Sequence, residues 1–145
     1  MLKDLIKNNI REIPDFPSEG IRFKDITPLI ENPLIFNKII EAFYEQIKDL
    51  EPEIIVGIES RGFIFAAPLA AKMRIPLVLA RKSGKLPFTK VSVEFNLEYG
   101  TDKLEMHIDS IKNCQKVLIV DDVLATGGTA KAAIDLVKKL KGKVI

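Results

Sequence analysis

One cysteine, one histidine and no tryptophan occur among the 145 residues of this chain. A solitary Cys114 rules out an internal disulfide, and the default setting is therefore reduced and cytoplasmic. His107 and Cys114 have no metal-ligand spacing. His107 reads as a surface residue at the far end of a hairpin, and Cys114 as an inert small residue near a strand start. No apolar run approaches the roughly 18 residues of a membrane span. Residues 1–10 break their apolar positions with Lys3, Asp4 and Lys7 and offer no small-residue cleavage site, which argues against a secretory signal. The formal net charge is only +2, too small to imply nucleic acid as a partner. There is no repeat, low-complexity tract or interdomain linker, so 1–145 reads as one domain with one core.

What the chain does contain is 47% hydrophobic and 29% charged residues, enough for a packed interior and a soluble surface. Residues 2–9 predict a short amphipathic helix. Pro14, Pro17, Gly20 and Pro28 make 12–30 an ordered or semi-ordered loop. Asn32 as N-cap and Pro33 at the first position open a helix whose apolar face holds Leu34, Ile35, Ile39, Ala42, Phe43 and Ile47. Three β-branched or apolar runs, 54–58, 76–80 and 117–120, predict buried strands. Helices are expected over 62–73, with Pro68 near its first turn or kinking it, and over 129–141, with Ile134, Val137 and Leu140 inward and Gly142 as its stop. Alternation at Val91, Val93, Phe95, Leu97 and Tyr99, and again at Leu104, Met106 and Ile108, predicts an antiparallel hairpin with one wet face. The fold class is thus α/β: a parallel sheet flanked by helices, Rossmann-like, with a hairpin appended. Val144-Ile145 reads as the start of a further strand, so the C-terminal edge of the sheet reads as truncated. Ligands of such sheets bind beyond the carboxyl ends of the strands, after Ile58, Ala80 and Val120.

After Val120 the chain runs Asp121-Asp122-Val123-Leu124-Ala125-Thr126-Gly127-Gly128-Thr129 into the last helix. Gly127 and Gly128 let backbone approach a ligand, and successive amides at a helix start form an anion nest. Thr126 and Thr129 add hydroxyl donors. Asp121 and Asp122 can grip a sugar diol or a metal-bound water. Phosphate cradle and acids together fit a phosphorylated ribose, whose pyrophosphate brings Mg²⁺. The other reading is a capped helix with two surface acids, but two adjacent acids at the mouth of an apolar strand are costly without a partner. No Gly-Lys-Ser/Thr follows the glycines, so this is not a Walker A loop. Arg81, Lys82, Lys85 and Lys90 crowd a stretch beside Gly84 and Pro87 with no acid between them, which suits either a mobile loop that meets an anion or a solvated surface loop.

The segment from Val120 to Thr129 resembles the phosphoribosyl pyrophosphate signature of type I phosphoribosyltransferases. Glu59-Ser60-Arg61-Gly62-Phe63 and Leu97-Glu98-Tyr99-Gly100 narrow the resemblance to the adenine phosphoribosyltransferase family. Phe23-Lys24-Asp25-Ile26-Thr27-Pro28 and Arg81-Lys82-Ser83-Gly84-Lys85-Leu86-Pro87 match it too, so it spans residue 10 to the end. The resemblance implies a purine-salvage transferase that joins adenine to phosphoribosyl pyrophosphate, giving AMP and pyrophosphate with Mg²⁺ held mainly through the substrate, and working as a homodimer. It assigns phosphoribosyl pyrophosphate to Asp121, Asp122, Ala125, Thr126, Gly127, Gly128 and Thr129; to Glu59, Ser60 and Arg61, in a loop where a cis non-proline peptide is expected; and to Arg81, Lys82 and Lys85. It assigns catalysis to Glu98 and Tyr99 in a mobile lid over 81–108, with Glu98 exchanging the proton of the base. Adenine falls to Phe23, as a stacking ring, and to the backbone at Arg22 and Lys24, in a base-side loop over 10–30, and also to Arg61.

The chain departs from the family pattern at Lys24, where arginine is common, at Arg22, where an apolar residue is usual, and at Phe88. Members also continue for some tens of residues past the position of Ile145. Transfer to guanine, hypoxanthine or xanthine is the near alternative. A sensor of phosphoribosyl pyrophosphate without turnover is the other, although no nucleic-acid-binding segment accompanies it.

Overall fold

A computed structural model of the chain describes residues 1–96 and 100–145. These residues group into two compact units, 1–45 and 46–145. No helix among them is long and apolar enough to cross a membrane.

The first unit opens with α1 (Leu2–Asn9), as its amphipathic pattern predicts. The stretch read as loop holds more order than its prolines suggest. Strands β1 (Arg11–Ile13) and β2 (Phe23–Asp25) pair antiparallel, with Glu12 opposite Lys24, and α2 (Thr27–Glu31) follows. Three-residue strands are too short for alternation to show in sequence. Asp25 opens α2 by accepting from the Thr27 amide at 2.9 Å and its hydroxyl at 2.7 Å. Asn32 caps α3 (Pro33–Ile47) as expected, its Oδ1 accepting from the Leu34 and Ile35 amides at 3.1 and 3.2 Å. Ile35, Ile39 and Ile40 are buried, whereas Leu34, expected on the same face, is 74% exposed. It sits about 100° around the helix from Ile35, off the Ile35–Ile39 stripe.

The second unit is built on a six-stranded sheet of order β5-β6-β4-β3-β7-β8. Strands β3 (Ile54–Ile58), β4 (Leu77–Lys82), β7 (Lys116–Val120) and β8 (Lys143–Val144) run parallel, with β3 in the middle and wholly buried. Near-continuous apolar runs such as 54–58, 77–80 and 117–120 make such strands because both faces are covered. The hairpin of β5 (Lys90–Asn96) and β6 (Thr101–His107) extends this same sheet antiparallel, so the sheet is mixed. Strand β4 changes partner on the way: residues 77–80 pair with β3, and Arg81 and Lys82 pair with Glu105 and Leu104 of β6. That second pairing carries the strand two residues past the apolar run that predicted it.

Helices α4 (Gly62–Met73) and α5 (Gly128–Lys139) flank the sheet. Pro68 lies inside α4, beyond its first turn. Ala132, Ala133, Leu136 and Val137 are the buried residues of α5, while Ile134 and Leu140 are only half-buried. Gly142 is not the left-handed stop expected: Lys141 takes φ 62° instead. Glycine is needed at 142 for space, since a Cβ there would lie 2.8 Å from both Ile111 Cγ2 and Val137 Cγ1.

The hairpin's outer face is not simply wet. Leu104 and Met106 are buried as predicted, but Glu105 between them is only 4% exposed. Ile108 falls beyond β6 and is exposed. His107, expected at the surface, is half-buried with its Nε2 enclosed, and its ring meets Phe88 edge-on at 5.9 Å. Cys114 is exposed in the turn before β7, at φ 62°.

Candidate active site

The carboxyl ends of β3, β4 and β7 converge, as the parallel topology requires. A cavity of about 210 Å³ opens there, lined by Glu59, Ser60 and Arg61 after β3, Lys82 of β4, Asp121 and Asp122 after β7, and Thr129 of α5. Phe95 and Asp102 of the hairpin close its side.

The acid pair is drawn inward. The Asp122 carboxylate is 6% exposed and takes the Arg61 Nε at 3.0 Å. Asp121 Oδ1 accepts from the Asp122 amide at 2.9 Å. Burial is the main influence on Asp121 and pushes its carboxyl up to about 6; the Asp122 N–H opposes this rise, and the neighbouring Asp122 carboxyl adds to it. This closeness depends on Gly62. A Cβ there would stand 2.9 Å from both Asp121 Oδ1 and the Val120 carbonyl, and 3.2 Å from Asp121 Cα. A glycine that looked like ordinary helix-start sequence is therefore what lets α4 approach the end of β7.

Beyond the acids, Val123 to Ala130 wrap a small cup of about 100 Å³. Gly127 holds φ 88° at the N-cap of α5, a conformation that favours glycine. The first amides of α5 have no intrahelical acceptor and face outward with the positive end of the helix dipole. Ala125 and Thr126 are exposed, and Gly127, Gly128 and Thr129 are half-buried, so the cup is open to a ligand. The Glu59–Ser60 peptide is cis, as the resemblance led us to expect.

The basic stretch is organised differently from its sequence-based reading. The Arg81 fork, expected on phosphate, lies on Glu59, with Nε to Oε2 at 3.1 Å and Nη2 to Oε1 at 3.2 Å. The Lys82 amide donates to the same carboxylate at 2.9 Å. Burial opposes ionisation of Glu59, yet the Arg81 fork and the Lys82 amide outweigh it and hold the carboxyl below its ordinary value. Glu59 thus positions the turn after β4. The Lys82 ammonium pairs with Asp102 at 3.3 Å, while Lys85 has no ion-pair partner among the described residues.

Within the first unit, Phe23 meets Phe16 edge-on at 5.2 Å. Arg22 and Lys24 are both held by Glu12, Arg22 at 2.8 Å. Glu98 and Tyr99 lie outside the described residues. Sequence reasoning passed over Glu12, Asp102 and Glu105. The signal was a basic run with no acid of its own, which has to find its acids elsewhere in the fold.

The chain matches the phosphoribosyl transferase domain family over residues 26–145. It is 55% identical over 139 residues to an adenine phosphoribosyltransferase of Kosmotoga olearia, covering 96% of this chain and 82% of that protein. The crystal structure of adenine phosphoribosyltransferase from Thermoanaerobacter pseudethanolicus superposes with a TM-score of 0.95 at 49% identity, over 99% of this chain and 83% of that one. The Saccharomyces cerevisiae enzyme, solved with adenine and an imino-altritol bisphosphate, gives a TM-score of 0.94 at 39% identity, over 99% and 84% of the two chains. With both domain and closer relatives in agreement, this chain belongs to the adenine phosphoribosyltransferase family.

Proposed function

We propose that this chain transfers the phosphoribosyl group of phosphoribosyl pyrophosphate to adenine, yielding AMP and pyrophosphate. The observation that carries the reading is the junction of two cavities, one lined by the acid pair and one by the glycine turn at a helix N-terminus, which share Asp121 and Thr129. Acids alone would repel a phosphorylated ligand, and an amide cup alone would take any anion. Side by side they suit a sugar that presents hydroxyls to Asp121 and Asp122 and its 5′-phosphate to residues 125–129.

In the reaction, the bond between ribose C1 and the pyrophosphate oxygen breaks as adenine nitrogen bonds to C1, and adenine gives up its ring proton. Positive charge develops on the sugar at the transition state, so carboxylates beneath the ring stabilise it. We assign the departing pyrophosphate to Ser60, Arg61, Gly62 and Lys85, while Arg81 and Lys82 shape the turn through Glu59 and Asp102. Glu98 is our choice for the proton acceptor, worth about 10²–10⁴-fold, with Tyr99 next to it in sequence. Phe23 stacks on adenine, and with Arg22 and Lys24 engaged by Glu12 the backbone of 22–24 is left to read the base edge.

Mg²⁺ suits this site, because the Asp121–Asp122 pair can accept hydrogen bonds from metal-bound water. Bound with pyrophosphate, the metal would offset its charge and make it a better leaving group. We carry over from the family resemblance a homodimer, and the lone exposed Cys114 suits a reducing cytoplasm.

The test is purified chain with labelled adenine, phosphoribosyl pyrophosphate and Mg²⁺. AMP should form, and the Asp121→Asn/Asp122→Asn double variant should form none. A panel of adenine, guanine, hypoxanthine and xanthine under identical conditions should show adenine preferred. AMP formation unaltered in the double variant would remove the acid pair from the mechanism.

A further inference from the structure

Glu105 is the one charged residue among those described that is buried as a whole, backbone and side chain together, at 4% exposed. It stands in β6 opposite Arg81 of β4. Its carboxylate accepts from the Gly84 amide at 3.1 Å, the Ser83 hydroxyl at 3.3 Å and the Lys90 ammonium at 3.0 Å. A carboxylate taken out of water is tolerated only when its lone pairs are satisfied, and this one is satisfied by a single turn and the lysine that follows it. Burial opposes its ionisation, but Lys90 and the Gly84 amide prevail and keep it charged.

The placement of those partners gives Glu105 a use. Glu59 grips Arg81 and the Lys82 amide. Glu105 grips the next two residues, Ser83 and Gly84. Leu86 beyond them is buried. The turn is therefore pinned at consecutive positions on both sides of Lys85, whose ammonium has no ion-pair partner among the described residues and lies near enough to Glu59 to act on it electrostatically. Gly84 holds φ 80°, and a side chain there would project into open space, so what holds this residue is its hydrogen bond to Glu105 and not side-chain packing.

We infer that Glu105 is a positioning residue for the pyrophosphate end of the substrate: it clamps Ser83 and Gly84 so that Lys85 is presented to the anion, and it ties that turn to the hairpin. The inference rests on the function proposed above. It separates the two substrates, because among the described residues the side-chain partners of Glu105 are Ser83, Gly84 and Lys90, all in the basic stretch on the pyrophosphate side.

Steady-state kinetics of Glu105→Gln test it. The KM for phosphoribosyl pyrophosphate should rise about tenfold while the KM for adenine and kcat stay within about twofold. Inhibition by added pyrophosphate should weaken by the same factor. Ser83→Ala, which removes one hydrogen bond without stranding a charge, should raise the same KM by about two- to threefold, and it decides the matter if Glu105→Gln does not fold. Unchanged phosphoribosyl pyrophosphate KM in a folded variant, or an equal rise for both substrates, would overturn the assignment. If the wild-type chain makes no AMP, the functional reading fails on its own. Calorimetric titration of pyrophosphate into the wild type and Glu105→Gln then still judges the clamp, with equal affinity refuting it.

Discussion

Replacing Asp121 by asparagine should stabilise the substrate-free protein while destroying its activity. Burial raises the Asp121 carboxyl from its ordinary 3.8 to about 6. The folded state therefore holds the proton more tightly than the unfolded chain, and stability is greatest below 3.8 and is lost as pH climbs through 6. For a fully enclosed group that rise would cost ~3 kcal/mol at neutral pH. Asp121 is half-buried, and discounting for solvent screening leaves ~1–2 kcal/mol. Asparagine keeps an acceptor for the Asp122 amide, now 2.9 Å from Oδ1, and carries no charge to desolvate. In thermal unfolding at pH 8 the variant should melt roughly 3–8 °C above the wild type. At pH 4.5 about a third of that gain should remain, because little of the charge cost has yet accrued. Turnover should be lost at both. A variant that melts at or below the wild type at pH 8, or whose gain is the same at both pH values, would refute the account of a strained acid held for catalysis.

Gly62→Ala should cost about 1–3 kcal/mol in denaturant unfolding and more than tenfold in turnover, since its Cβ would meet the Val120 carbonyl and Asp121 Oδ1 at 2.9 Å; a wild-type-like variant would show that α4 can retreat freely. Glu59→Gln should release the Arg81 fork and raise the KM for phosphoribosyl pyrophosphate about fivefold, with the adenine KM unmoved; loss of both in parallel would point to general unfolding of the site. Lys141→Gly should gain about 0.5–1 kcal/mol by chemical denaturation, because Lys141 holds φ 62° at the end of α5; destabilisation would mean its side chain contributes packing that outweighs the backbone relief.

The elements that the sequence alone determined are those specified by local patterns. β3 and β7 follow from short apolar runs rich in β-branched residues, and α3 from Asn32, Pro33 and a 3.6-residue stripe. The Asp121–Thr129 segment announced a phosphate cradle because its chemistry lies in consecutive residues. The tertiary structure decided everything that depends on which strands become neighbours. Arg81 and Lys82 read as free cations until β4 changes partner and sets them beside Glu59, Asp102 and Glu105. Glu105 read as a wet strand position until the 83–84 turn folded over it. A charge's role is fixed by its partner across 22 residues of chain, and no periodicity records that distance, because ionic pairing acts through space while sequence patterns register only the backbone's own repeat.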